Sequence, residues 1–278
     1  MTTFVLLAVL GSAFLHALWN SLVKTGTSRM GAMVILSVSE IPIGLTVALF
    51  RAPPTLAVVP WIAASGLAHF FYKFFLTYAY ERGDLSRVYP IARGTAPMVV
   101  AVASALFLSD VLVAQEYLGI AILGAGILLM AQGVFASGEN RRLIPFALGA
   151  AAATASYTLI DGQGARVAGD AIAYVAWVFV VDGLGFATAM LLWRGGAVLP
   201  RSRKPWIVGT VAGAASYGAY GISVWAMTLA PIALVAALRE TSILFAVLIG
   251  WLAFGEQMTK GKALAAVVII AGVMITRL

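Results

Sequence analysis

The chain has 278 residues, 62% of them apolar and only 10% charged, against about 45–50% and about 25% in a soluble domain. Its net charge of +7 does not point to nucleic acid, because a nucleic-acid surface needs clustered bases on a soluble scaffold. With no Cys and two His, no disulfide framework, cysteine nucleophile, metal centre or other cofactor is expected, and the chain reads as an all-α, polytopic membrane protein.

A bilayer core of about 30 Å asks about 20 apolar residues of each helix. Ten such spans run in chain order at 3–23, 31–50, 60–80, 87–108, 115–135, 145–162, 171–193, 206–228, 231–253 and 260–277. Breaks such as Arg51-Ala-Pro-Pro54 and Arg201-Ser-Arg-Lys-Pro205 separate them. The first span lacks the basic segment and cleavage site of a signal peptide and reads as a retained helix. It carries Trp19 and Asn20 at a depth suited to a cavity.

The second span holds Glu40 and Pro42. The third places His69, Tyr72, Lys73, Leu76 and Tyr80 on one helical stripe, since residues three and four apart share a face. Such a stripe does not suit lipid, so it is expected to face a cavity. Two roles are open to Lys73: a point charge for a substrate carboxylate, or a partner for Glu40 or Glu240 that ties helices together. The fourth span sets Arg93 among Pro90, Gly94 and Pro97, and prolines there kink or hinge a membrane helix. The fifth and tenth spans are small-residue helices with almost no interior polarity and read as peripheral struts.

In the second half, Tyr157 and Thr158 in the sixth span, and Tyr217 with Tyr220 in the eighth, add pocket-forming aromatics and hydroxyls. Asp182 lies in the seventh span, and Arg239 followed by Glu240 in the ninth. Ionisable groups inside spans are costly and mark function by default. Here they are Glu40, Lys73, Arg93, Asp182, Arg239 and Glu240, with His16 and His69 beside them. Arginine forks suit carboxylates, while Glu40 and Asp182 are candidates for carrying a coupling proton. The alternative for each is a structural ion pair.

The halves repeat. Trp19-Asn20 falls on Tyr157-Thr158 at an offset of 138, Glu40 on Asp182 at 142, Pro60-Trp61 on Pro205-Trp206 at 145, and Arg93, Thr95 and Asp110 on Arg239, Thr241 and Glu256 at 146. Five spans per half give opposite orientations, so residues 1–138 and 139–278 are expected to form two inverted five-helix repeats around a central cavity, a transporter architecture. Lys and Arg outside the membrane split twelve to three against the face that bears the termini. That predicts both termini in the periplasm of a bacterial inner-membrane protein.

The paired halves resemble the EamA-type domains of the drug/metabolite transporter superfamily. The likeness rests on Leu18-Trp19-Asn20, on Leu108-Ser-Asp110 and Phe254-Gly-Glu256 after the fourth and ninth spans, and on the Gly-bearing helices through Gly126 and Gly272. Asp110 departs from the usual Glu. The resemblance implies ten helices, a central cavity and export of small metabolites, often amino acids. The expectation is a secondary transporter, not an enzyme, working by alternating access as a monomer or weak homodimer, with protons as a candidate coupling ion. No phosphate-binding Gly-x-x-x-x-Gly-Lys-Ser/Thr segment is present to supply ATP energy. A sugar-phosphate or nucleotide-sugar exchanger and a channel-like facilitator are the alternatives.

Overall fold

The computed structural model describes residues 1–24, 29–82, 95–108, 110–135 and 144–277. Among them the chain is helical throughout: α1 (Thr3–Lys24), α2 (Arg29–Leu49), α3 (Val59–Arg82), α4 (Ala96–Phe107), α5 (Ala114–Phe135), α6 (Ile144–Ala168), α7 (Ala171–Arg194), α8 (Arg203–Met227), α9 (Ile232–Arg239), α10 (Ser242–Phe254) and α11 (Lys260–Ile275). Over the described residues each predicted span coincides with helix, and α9 with α10 makes up the ninth; residues 87–94 of the fourth predicted span lie outside the described residues. Among the described residues, five stretches are long and apolar enough to cross a membrane by those criteria alone: Thr3–Val23, Met30–Leu49, Ala171–Arg194, Arg203–Met227 and Ile232–Phe254.

Local chemistry sets several boundaries. Asp170 caps α7, its carboxylate accepting from the Ile172 and Ala173 amides at 2.9 and 3.1 Å, as an N-cap acid should. Gly255 ends α10 at φ 68°, a left-handed position that a side chain would strain.

The ninth span departs from the single helix expected of it. At Arg239–Thr241 the ladder tightens to three-residue spacing, with the Glu240 and Thr241 amides bonding the Ala237 and Leu238 carbonyls at 3.0 and 3.1 Å. The Thr241 hydroxyl also donates to the Leu238 carbonyl at 2.7 Å. Such back-bonding competes with the regular ladder and bends helices. Helix α4 starts at Ala96, 146 positions before Ser242 and thus at the offset of the repeat.

The polarity of the body is reversed relative to a soluble protein. Leu7, Phe107, Leu192 and Val267 are exposed, whereas Glu40, Lys73, Asp161, Asp182, Arg239 and Glu240 are buried. Lipid satisfies apolar side chains as well as a core does, so helix contacts depend on small residues and polar pairs. The most extensive contacts pair α1 with α8, α2 with α7, α3 with α6 and α5 with α11, while α4 packs on both α6 and α9 and α10 packs on α1. Exchanging each span with the one five places later maps this set onto itself.

Glycines let the backbones approach. A Cβ at Gly44 would lie 2.6 Å from the Ala176 carbonyl oxygen, and one at Gly183 would lie 2.7 Å from that of Ser37. The α2–α7 crossing is therefore closest around Glu40 and Asp182. On the periphery, a Cβ at Gly272 would meet the Leu123 amide at 2.6 Å and the Gly119 carbonyl at 2.8 Å. The small faces of α5 and α11 thus pack on each other. Gly272→Leu is expected to cost about 2 kcal/mol or more, visible as a lower melting temperature of the detergent-purified protein, whereas Gly11→Ala, where a Cβ meets nothing within 4 Å, leaves it unchanged.

Candidate functional site

Glu40 and Asp182 are each the twelfth residue of their helices, α2 and α7, so the close crossing brings both carboxylates to mid-span. Lys73 on α3 reaches between them. Its ammonium donates to Ser37 Oγ at 2.7 Å and Glu40 Oε2 at 3.1 Å, and lies 2.6 Å from Asp182 Oδ2. The three donors of the lysine are thus directed at three oxygens. Glu40, Lys73 and Asp182 are buried at 0%, 4% and 2% exposure. The second oxygens, Glu40 Oε1 and Asp182 Oδ1, are buried with no hydrogen-bond partner among the described residues.

These groups border a central cavity of about 40 Å³, walled by His16, Trp19, Glu40, His69, Tyr72, Lys73, Tyr157, Asp182, Tyr220 and Arg239, with Met33, Leu36, Phe179 and Ser216 completing it. The α3 stripe turns His69, Tyr72 and Lys73 into it. Trp19 donates its indole N–H to His16 Nδ1 at 3.2 Å, and His69 stacks on Tyr157 with ring centroids 4.2 Å apart. Arg239 enters from the break between α9 and α10. Its guanidinium lies 5.2 Å from the centroid of the Tyr220 ring, and its Nε is buried without a hydrogen-bond partner among the described residues.

The remaining predicted residues land around this centre. Asn20 is buried and donates to the His16 carbonyl at 2.8 Å, Thr158 is buried beside Tyr157 on α6, and Glu240 is buried next to Arg239. Tyr217 is half-buried, its ring 5.1 Å from that of Phe179; of the two eighth-span tyrosines it is Tyr220 that lines the cavity. Pro97 sits in the first turn of α4, where a proline's missing N–H interrupts nothing. Pro90 and Arg93 lie outside the described residues, as does the side chain of Tyr80.

Sequence reading missed Asp161. It is completely buried on α6 and accepts hydrogen bonds from Tyr174 at 2.8 Å and from Tyr220, with His69 Nδ1 3.9 Å away. The signal was present: Asp161 lies inside the sixth predicted span, where any ionisable group asks for a partner, four residues from Tyr157 and so on the same face.

A second polar assembly lies at the face where α4, α6 and α8 end and α9 begins. Arg166 pairs bidentately with Asp110 at 2.7 and 3.1 Å and donates to the Met227 and Ala230 carbonyls at 3.0 and 3.2 Å. Asp110 in turn accepts from the Ile232 amide at 2.8 Å, at the first turn of α9. On the same face Arg51 meets Asp170 at 3.3 Å, and Arg277 reaches the Met1 carbonyl at 2.6 Å. Arg166 is thus a bound residue of α6 as well as one of the three bases expected on this face.

A helical body that turns apolar side chains outward and gathers its charges around a small mid-span cavity is a multi-pass membrane protein with an internal polar site. Residues 141–278 match the model of the EamA-like transporter family. By that match the second half of the chain resembles the family, whose members are membrane transporters of the drug/metabolite transporter superfamily. Members of that family are transporters, not enzymes. A solved crystal structure, described only as that of a protein, is similar in fold with a TM-score of 0.78 over 100% of this chain and 99% of its own, at 18% sequence identity. No curated protein matches the chain.

Proposed function

We propose that this protein exports amino acids, apolar or aromatic ones above all, across a bacterial inner membrane in exchange for protons, by alternating access. The observation that carries the reading is that three partnerless charged atoms surround one cavity: Glu40 Oε1, Asp182 Oδ1 and Arg239 Nε, none of which has a partner among the described residues. A buried charged atom without a partner is costly, and a zwitterion supplies what each lacks. The substrate's ammonium donates to the two carboxylates and its carboxylate meets the Arg239 guanidinium, while Trp19, Tyr72, Tyr157 and Tyr220 face its side chain. With its donors already directed at Ser37, Glu40 and Asp182, Lys73 acts within the acid cluster and leaves the carboxylate to Arg239.

Coupling follows from charge balance. One ammonium and two carboxylates leave one negative charge, which either a proton or the substrate's ammonium neutralises. Proton and substrate then compete for one pair of acids, and exchange results when the cavity opens to the two sides in turn. The halves 1–138 and 139–278 move against each other, and the helix packing that is symmetric on their exchange supports this. The excess of Lys and Arg on the opposite face supports periplasmic termini, and the mutual packing of α5 and α11 supports a monomer. A sugar phosphate has less support, because it asks for two or three converging cations and Lys73 is already committed to the acid cluster.

The deciding experiment is reconstitution in liposomes with flux measured for a panel of amino acids, with and without a pH gradient. Flux of apolar amino acids is expected to rise with the gradient and to show trans-stimulated exchange. Glu40→Gln with Asp182→Asn is expected to abolish the gradient-driven part. Flux of no amino acid at all would sink the substrate assignment, and gradient-driven flux surviving the double change would sink the coupling.

A further inference from the structure

Asp161 has no part in the exchange just described, yet it is the more isolated acid. No Lys or Arg among the described residues pairs with it, and a buried, ionised carboxylate without a counter-charge is among the costliest groups a protein can hold. Its surroundings are specific. Tyr174 of α7 donates to Oδ1 and Tyr220 of α8 donates to Oδ2. His69 of α3 lies 3.9 Å from Oδ2 through Nδ1, and Tyr157, on α6 with Asp161, stacks on His69. Arg239 of α9 stands behind the Tyr220 ring. The segment of α4 packed on α6, Ala96–Phe107, carries no titratable side chain.

His69 Nδ1 also lies 3.0 Å from the Ser65 carbonyl. The Ser65 hydroxyl lies 3.2 Å from the same nitrogen; a hydrogen on Nδ1 suits the carbonyl, which only accepts, and in that tautomer the proton exchanged by the ring is the one on its other nitrogen. Protonated, the ring supplies the positive charge that Asp161 lacks. Neutral, with its proton released, it leaves the acid without a counter-charge. The pair therefore balances its charge by holding one proton.

We propose that His69 and Asp161 form a second proton-binding site, distinct from the Glu40–Lys73–Asp182 cluster, and that Tyr220 links it to Arg239. Tyr220 touches both parties: its hydroxyl is hydrogen-bonded to Asp161 and its ring lies under the guanidinium. A carboxylate arriving at Arg239 changes the field on that ring and so the proton held beyond it. Its use in transport rests on the proton-exchange reading above, but its test does not.

The chain has only two histidines, so protein labelled with isotopic histidine gives two ring signals, which His16→Gln assigns. In lipid nanodiscs, with no substrate added, the wild-type His69 signal is expected to move with pH between its neutral and protonated forms. In Asp161→Asn the imidazolium-to-imidazole ratio at a fixed pH is expected to fall about tenfold, whereas Glu40→Gln leaves the curve in place. A wild-type His69 signal that does not move with pH overturns the proposal, and so does an Asp161→Asn curve that superimposes on it. A shift in Glu40→Gln as large as in Asp161→Asn overturns the claim of a separate site. If Asp161→Asn does not fold, Tyr220→Phe tests the link: an unchanged His69 curve there overturns it. Because no substrate enters, failure of the amino-acid assignment and failure of this one are read separately.

Discussion

Lys73→Met is expected to lose about 3–5 kcal/mol of stability together with all pH-gradient-driven flux. The substitution keeps the length and apolar stem of the side chain, so the loss is electrostatic. Glu40 and Asp182 are then left facing each other across the α2–α7 crossing, and no other cation among the described residues is paired with them. The backbones are held together there by Gly44 and Gly183, so the helices cannot part without losing their closest contact. A triple variant separates charge from packing: with Glu40→Gln and Asp182→Asn added, the cluster is neutral and most of the stability is expected to return while transport does not. Thermal unfolding in detergent, followed by the fluorescence of the seven tryptophans, measures the first effect, and liposome flux the second. A Lys73→Met protein as stable as the wild type would show that the cluster is not the electrostatic joint its geometry describes.

The repeat makes the pairing of Glu40 with Asp182 legible in the sequence. Two acids at matched positions on spans related by an inverted repeat meet at the pseudo-twofold axis if those spans cross. The stripe on the third span shows which face turns inward, and Lys73 on it has to find an acid. The acid cluster can therefore be assembled from spacing, burial cost and symmetry. Asp161 has no such symmetry partner, since the offset of 138 sets it against Val23, and the matching of rare residues passes over it. Tyr174 belongs to the same gap. Its ring approaches Asp161 because Gly164 leaves room for it; a Cβ at Gly164 would lie 2.5 Å from the Tyr174 hydroxyl. The break in the ninth span is also invisible, for no Gly or Pro marks it, and only the hydroxyl of Thr241 and its tightened amides make it.

Arg166→Ala is expected to raise the exposure of the central cavity to the terminal face by about ten- to hundredfold. Arg166 and Asp110 join the loop after α4, the end of α6, the end of α8 and the first turn of α9 in one network. Those elements have to separate for the cavity to open on that side. The pair is bidentate and its side chains are only 26% and 11% exposed, so it contributes about 1.5–3 kcal/mol as charge-assisted bonds do, which converts to that change in population. The Arg51–Asp170 pair nearby, 43% and 39% exposed, contributes little, and Arg51→Ala serves as the control. The natural absence of cysteine makes the measurement direct. A single Ser65→Cys, placed between the terminal face and His69, is labelled by a membrane-impermeant maleimide added on that face, and its labelling rate reports the open population. The rate is expected to rise in Arg166→Ala, to stay unchanged in Arg51→Ala, and to return toward the wild-type value when the pair is rebuilt in reverse as Asp110→Arg with Arg166→Asp. Equal labelling in all four proteins would mean that the network holds loop structure alone and that the barrier on this face lies deeper, at Tyr220 and Arg239.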